Sequence, residues 1–419
     1  MSSCPVGPLN ARIKEGIVGN GVAVTVSTHI TESPYSSCTH TFGYPTFRGS
    51  KRGIHYGRIR LPDAAGGPFP IVINFHGGFW KSEWSLERHG PSTAALLAAF
   101  GTTDVASWDV EYARVDQSDP TSSEAGGGWP HTCLDALAAL NALALPGVLA
   151  SGIRTAIDLS RVYLCGHSAG GHLALWTACL SRLPPPELER VGAAVEALAG
   201  AKAGAAARAG VHADITVVGV VGLAPVTSLR TAAADGLSDH HDAVPNFLWR
   251  TGATAAATDA GGHLDAACPL ALFRAVPAAA GPLAQMRVLL VHGLADEAVP
   301  PSMSASLAAA LGPEACRLVL MPALDHFVVA AIDVDPTNEK GGTRSDEWAR
   351  VAAVLRAFVV GDDAALDAAC VATADDAAAL LKDAVEPVCA RRTLASEPAE
   401  RPEETTRGLA RWSKWSEAA

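Results

Sequence analysis

The 419-residue sequence predicts an α/β protein, with a doubly wound, mostly parallel sheet and helices on both of its faces. Three observations carry that prediction. Short apolar runs alternate with Ala- and Leu-rich stretches long enough to be helices. Several of those runs, at 70–75, 215–223 and 286–291, are too continuously apolar for one-sided burial, as expected of strands covered on both faces. Between an apolar run at 161–165 and an Ala/Leu-rich run at 172–180 lie Gly166-His167-Ser168-Ala169-Gly170-Gly171. Strand, G-x-S-x-G and helix in that order form a tight turn that pushes a serine hydroxyl clear of the backbone.

Taken in order, residues 16–26 predict a weak hairpin around Gly19-Asn20-Gly21, followed by a polar stretch rich in Ser, Thr and Tyr. Residues 54–61 alternate like an exposed or edge strand, and the strand at 70–75 ends in His76-Gly77-Gly78-Phe79-Trp80. A helix is expected over 91–100, a strand over 105–110, then a long polar loop ending in Gly126-Gly127-Gly128-Trp129-Pro130. Pro130 suits the first position of a helix running to about residue 145. After the Ser168 turn and its helix, Pro184-Pro185-Pro186 opens an Ala/Gly-rich segment to residue 210, read as a partly helical surface insertion. A strand follows at 215–223. Residues 228–280 read as short helices and loops, a candidate cap over a site. Strands at 286–291 and 316–321 alternate with helices at 302–311 and 346–360. The organisation is thus an N-terminal extension over 1–52, a main domain over 53–360 and an acidic, Ala-rich C-terminal extension over 361–419. That last extension is expected to be a helix or two and a frayed tail.

Composition narrows the function. A net charge of −11 and the lack of a basic run argue against a nucleic-acid partner. No stretch approaches ~18 apolar residues free of breakers, so no membrane span is expected. Met1-Ser2-Ser3-Cys4-Pro5 lacks a charged-then-apolar signal pattern, and the C-terminal residues form no prenylation or retention signal. Nine cysteines without a CxxC pair read as buried thiols in a reducing compartment, so a cytoplasmic protein is expected. Composition leaves the oligomeric state open.

A serine hydroxyl is a weak nucleophile until a base takes its proton, and an acid must hold that base in the right tautomer. In open α/β sheets such groups collect at the carboxyl ends of strands. After the strand at 286–291 comes His292-Gly293-Leu294-Ala295-Asp296-Glu297, and after 316–321 comes Pro322-Ala323-Leu324-Asp325-His326. Ser168, Asp296 and His326 follow the chain order Ser, acid, His. Glu297 and Asp325 compete as acids, and His263 and His292 as bases. Asp296 is preferred because it lies inside the tight turn, while Glu297 reads as solvated and His292 as a packed strand-end histidine. The two glycines of the 76–80 loop let a backbone turn its N–H groups toward an oxyanion, as does Ala169 at the helix start. His76 reads as a brace for that loop. Trp80 and Trp129 could wall a pocket, against the simpler reading that both are core.

His76-Gly77-Gly78-Phe79-Trp80 resembles the HGGxW motif of kynurenine formamidases and their esterase relatives, close to the hormone-sensitive-lipase-like group. Gly166-His167-Ser168-Ala169-Gly170-Gly171-His172-Leu173 resembles the GHSAG-(G/A)-HL block of the same enzymes. From about residue 53 to 360 the chain is similar to the α/β-hydrolase superfamily. The resemblance implies Ser168 as nucleophile, Asp296 as acid and His326 as base. Its oxyanion hole would be drawn from the backbone N–H groups of Gly77, Gly78, Phe79 and Ala169. The implied reaction is cleavage of a carboxylic ester or a small amide such as N-formylkynurenine through an acyl-enzyme, with no metal or organic cofactor. The rival from another class is a catalytically silent binding protein of the same fold. A relative of the prolyl oligopeptidases would normally bring a propeller that the first fifty residues cannot supply, which leaves an exopeptidase without a propeller as a third reading.

Overall fold

The computed structural model describes residues 16–18, 22–24, 39–49, 54–62, 66–115, 126–238, 242–248, 262–276, 286–332 and 343–369. A short antiparallel hairpin, β1 (Gly16–Val18) and β2 (Val22–Val24), stands apart from the main sheet. That sheet contains β3 (Thr39–Gly43), β4 (Tyr56–Arg60), β5 (Phe69–Phe75), β6 (Ala106–Val110), β7 (Ile157–His167), β8 (Val217–Leu223), β9 (Arg287–Gly293) and β10 (Cys316–Met321). Its strand order is β10-β9-β8-β7-β5-β6-β4-β3, antiparallel only where β4 meets β3 and β6. Residues 54–61 are therefore not an edge strand. The edge is β3, whose polar alternation hides it among the loops, and it is pinned by Phe42 stacked on Trp108 at 5.0 Å.

The helices are α1 (Leu86–Phe100), α2 (His131–Ala142), α3 (Ser151–Ala156), α4 (Ala169–Leu180), α5 (Pro185–Ala199), α6 (Ala201–Ala209) and α7 (Leu229–Ala234). They continue as α8 (Ala243–Leu248), α9 (His263–Ala267), α10 (Pro269–Ala275), α11 (Pro301–Leu311), α12 (Thr343–Val360) and α13 (Asp363–Ala369). Residues of the C-terminal extension beyond α13 lie outside the described set. α1 starts five residues before the proline expected to open it. Ser85 caps it by accepting from the Arg88 N–H, and the Leu86 N–H donates to Glu111 at 2.8 Å. Together they satisfy a first turn that local sequence leaves bare.

Alternate residues of each strand feed two cores. Ile71, Ile73 and Phe75, Leu164, Val220 and Leu290 face the helices α2, α4, α10 and α11. Val72, Cys165, Val221, Leu289 and Val319 face α1 and α12. Both faces are apolar, so the strand runs lack a polar side, as their sequences require. The 184–210 segment forms the two helices α5 and α6, parted at Gly200, with Val191, Ala194, Val195, Ala203 and Ala207 buried in the first core. Its small residues let α5 and α6 lie close together.

One buried charge runs against this frame. Asp109 on β6 accepts from Asn74 Nδ2 at 2.9 Å, yet burial pushes its carboxyl up to about 6 despite Asn74 and Arg60. An acid raised in the folded state stabilises most below its unfolded value, and that contribution is lost as pH rises through about 6. Asp109→Asn is therefore expected to raise stability by about 1–3 kcal/mol at pH 8 and by little at pH 4. Thermal unfolding at both pH values checks this; an equal effect at both would contradict it.

Candidate active site

The carboxyl ends of β5, β7, β8, β9 and β10 lie in one row, with Phe75 opposite Gly166, His167 opposite Leu223, Leu223 opposite Val291 and Gly293 opposite Met321. The chain passes from β5 to β6 on one side and returns to β7 on the other. The crevice between β5 and β7 is where such sheets bind ligands. Two of the sequence motifs open there.

Ser168 sits between β7 and α4 with φ 55° and ψ −119°, a conformation that costs a non-glycine residue about 1–3 kcal/mol. The surrounding structure holds it there. Its N–H donates to the Leu223 carbonyl at 2.9 Å, and its carbonyl accepts from His172 at 3.1 Å and Val226 at 3.3 Å. The flanking glycines are a steric need: a Cβ on Gly170 would stand 1.9 Å from the Phe75 carbonyl oxygen, and one on Gly166 2.2 Å from the Gly170 carbonyl. The turn can pack on β5 only without them.

Asp296 and His326 come together from the loops after β9 and β10. His326 Nδ1 lies 2.7 Å from Asp296 Oδ2, and both side chains are buried. The carboxylate can only accept, so His326 carries its proton on Nδ1 and Nε2 is its basic nitrogen. Asp296 Oδ1 accepts from the Ala298 and Val299 N–H groups at 2.9 and 2.8 Å. Burial pushes the Asp296 carboxyl up, but the His326 charge and the hydrogen bonds of His292 and His326 outweigh it and hold the group well below the usual carboxylate range. The competing residues take other places. Glu297 is exposed, and Asp325 accepts from the Phe327 and Val328 N–H groups as a turn cap. His263 begins α9. His292 reaches Asp296 Oδ2 with Nε2 at 3.2 Å, bonds the Val299 carbonyl at 2.9 Å, and meets Ser304 Oγ through Nδ1 at 2.7 Å. It contacts the same carboxylate oxygen as His326.

The 76–80 loop runs through three successive residues with positive φ: Gly78 at 104°, Phe79 at 55° and Trp80 at 58°. Phe79 and Trp80 are the central residues of a turn that the Lys81 N–H closes on the Gly78 carbonyl at 2.9 Å. The N–H groups of Gly77, Gly78 and Ala169 are buried, and none has a hydrogen-bond acceptor among the described residues. His76 does brace the loop. It bonds Glu111 through Nε2 at 3.0 Å and stacks on Tyr112 at 4.3 Å, and the Tyr112 hydroxyl donates to the His76 carbonyl at 2.6 Å. Burial alone would raise the Glu111 carboxyl, but His76, Arg114 and the Leu86 N–H bring it below its ordinary value. Sequence reasoning missed Glu111, whose one signal is its place directly after β6. Asp135 was missed as well; from within α2 it accepts from the Ala113 N–H at 3.2 Å and faces His55 and Arg48.

Trp80 and Trp129 are both buried in the first core. Trp80 stacks on Phe247 of α8 at 4.4 Å, and Trp129 meets Trp176 edge-on at 5.8 Å. Lys81, just past the loop, pairs with Asp242 at 3.1 Å, so α8 is fastened to the loop at both ends. The site is nearly closed: Ser168 is 2 % and His326 1 % exposed. Among the described residues no cluster of His, Cys, Asp and Glu could hold a metal ion, and no helix is long and apolar enough to cross a membrane.

Residues 58–311 match the family model described as BD-FAE. Among solved structures, Esterase B from Lactobacillus rhamnosis is 16 % identical with a TM-score of 0.52, covering 81 % of this chain and 91 % of its own. Its C6-C4 SN3 inhibited form gives 16 % and 0.51, covering 80 % and 92 %. An esterase from Pyrobaculum calidifontis gives 18 % and 0.47, covering 78 % and 87 %. The Esterase B likeness is one of fold, and that fold is the α/β-hydrolase fold. No curated protein matches the chain.

Proposed function

The chain belongs to the BD-FAE family, and from that premise we propose that it is a serine hydrolase cleaving a carboxylic ester through an acyl-enzyme, with Ser168 as nucleophile, His326 as base and Asp296 as acid. The observation that carries this reading is the 2.7 Å bond from His326 Nδ1 to Asp296, which leaves Nε2 as the base on the sheet edge where Ser168 is held in its strained turn. His326 Nε2 takes the Ser168 proton as Oγ attacks the ester carbonyl carbon. The N–H groups of Ala169 and the 77–79 loop bind the resulting oxyanion. Collapse breaks the carbon–oxygen bond, and His326 returns the proton to the departing alcohol. Water, deprotonated by His326, then attacks the acyl carbon, the acid leaves and Ser168 recovers its proton. The esterases among the structural relatives support an ester in preference to an amide.

The test is hydrolysis of short-chain p-nitrophenyl esters and of N-formylkynurenine by the wild type and by Ser168→Ala. The wild type should cleave the esters, and the variant should lose about 10⁴–10⁶-fold in kcat. A fluorophosphonate should label the wild type alone. Preference for the formyl amide would make the protein a kynurenine formamidase. Equal inertness of both proteins on both substrates, with no labelling, would leave a binding protein of this fold.

A further inference from the structure

We propose that His167, the residue before the serine, is a positioning residue that sets how far His326 stands from Ser168. The inference rests on the serine-hydrolase reading above. His167 Nε2–H donates to the backbone carbonyl of His326 at 2.8 Å, and the two rings lie 4.5 Å apart at 47°. His167 is the last residue of β7 and pairs with Leu223, so its own backbone is anchored in the middle of the sheet. Gly77 lies against it as well: a Cβ there would stand 3.0 Å from His167 Nδ1 and from its carbonyl oxygen. One side chain therefore touches all three parts of the site. It is covalently next to the nucleophile, packed on the oxyanion loop and bonded to the residue that carries the base.

The geometry of His326 shows what such a contact does. Its bond to Asp296 holds the Nδ1 side of the ring. The bond to its carbonyl ties the backbone that carries the ring to the strand that carries Ser168, so Nε2 is placed relative to the serine. His167 suits the task because it stays uncharged. Burial, with the His326 charge added, pushes its imidazole well below the ordinary value, against the opposing pull of Asp296. When His326 takes the serine proton, no second positive charge faces it.

The experiment compares kcat and KM of the full chain on p-nitrophenyl butyrate for the wild type and for His167→Phe, His167→Gln and His167→Asn. Phe keeps a flat ring and removes the donor; Gln places an N–H at a similar reach; Asn falls short. Misplacement of the base predicts a loss of about 10²-fold in kcat for Phe, with KM within about twofold. Gln should recover to within about tenfold of wild type, and fluorophosphonate labelling of Ser168 should slow in parallel with kcat. The inference is overturned if Phe stays within about twofold of wild type, if its loss lies in KM, or if Gln falls as far as Phe. Should Phe fail to fold by circular dichroism, Gln and Asn decide: a kcat for Gln about tenfold above Asn supports the role, and equality overturns it. A wild type that neither hydrolyses the ester nor takes the label defeats the serine-hydrolase reading and this inference with it. An active wild type beside indifferent variants defeats the inference alone.

Discussion

Asp296→Asn is expected to lower kcat by about 10⁴-fold while leaving the protein folded. The carboxylate divides its work between two oxygens. Oδ1 accepts from the Ala298 and Val299 N–H groups, and Oδ2 accepts from His326 and lies 3.2 Å from His292 Nε2. An asparagine oxygen can keep the two turn bonds, which places its amide nitrogen where Oδ2 was. That nitrogen can only donate, so His326 must accept through Nδ1 and move its proton to Nε2. The imidazole then faces the serine with the wrong tautomer and cannot serve as base. Flipping the amide restores the tautomer only by breaking both turn bonds. Steady-state kinetics beside a thermal melt separates the outcomes, and a variant retaining more than about a tenth of wild-type kcat would remove Asp296 from the triad.

Gly78→Ala is expected to lower kcat by at least about 10²–10³-fold, the size of losing one oxyanion donor. Two features forbid the methyl group. Gly78 has φ +104°, and the new Cβ would stand 2.1 Å from Trp84 Cβ, a side-chain atom next to the backbone with no freedom to swing away. The loop must shift, and its N–H groups shift with it. Stability should fall too, because His76, Glu111 and Tyr112 hold the loop in one arrangement. Measuring kcat on the folded fraction distinguishes the effects. If activity falls only as far as the folded population, the loop plays no part in binding the oxyanion.

Much of this was legible in the sequence. The central strands are readable because they are buried on both faces and so uniformly apolar; β10 is found at its expected bounds, 316–321. The serine turn shows because glycine is demanded on both sides of it, and the pairing of Asp296 with His326 because both stand directly after strands. What stayed hidden depends on partners far along the chain. β3 reads as polar loop because its place is set by hydrogen bonds to β4 and by Phe42 against Trp108. The start of α1 depends on a carboxylate 25 residues later. His292 could be recognised as a packed histidine from its strand end, but its contact with Asp296 required the fold of the whole turn. Trp80 and Trp129 belong to the core, and no spacing rule separates a core tryptophan from one that lines a pocket.

The row of strand ends has a consequence in time. The proposed nucleophile and oxyanion loop come from the middle of the sheet, while the proposed acid and base come from the two strands at one edge. His167 and the His326 carbonyl it binds are 159 residues apart in the chain. At a synthesis rate of ~5–20 residues per second, about 8–30 seconds separate the emergence of the two. A nascent chain can therefore fold its centre and form the serine turn with no base beside it. On the proposed mechanism, reactivity arrives only when the edge strands dock, so a chain broken off before residue 326 is inert however well its core is made.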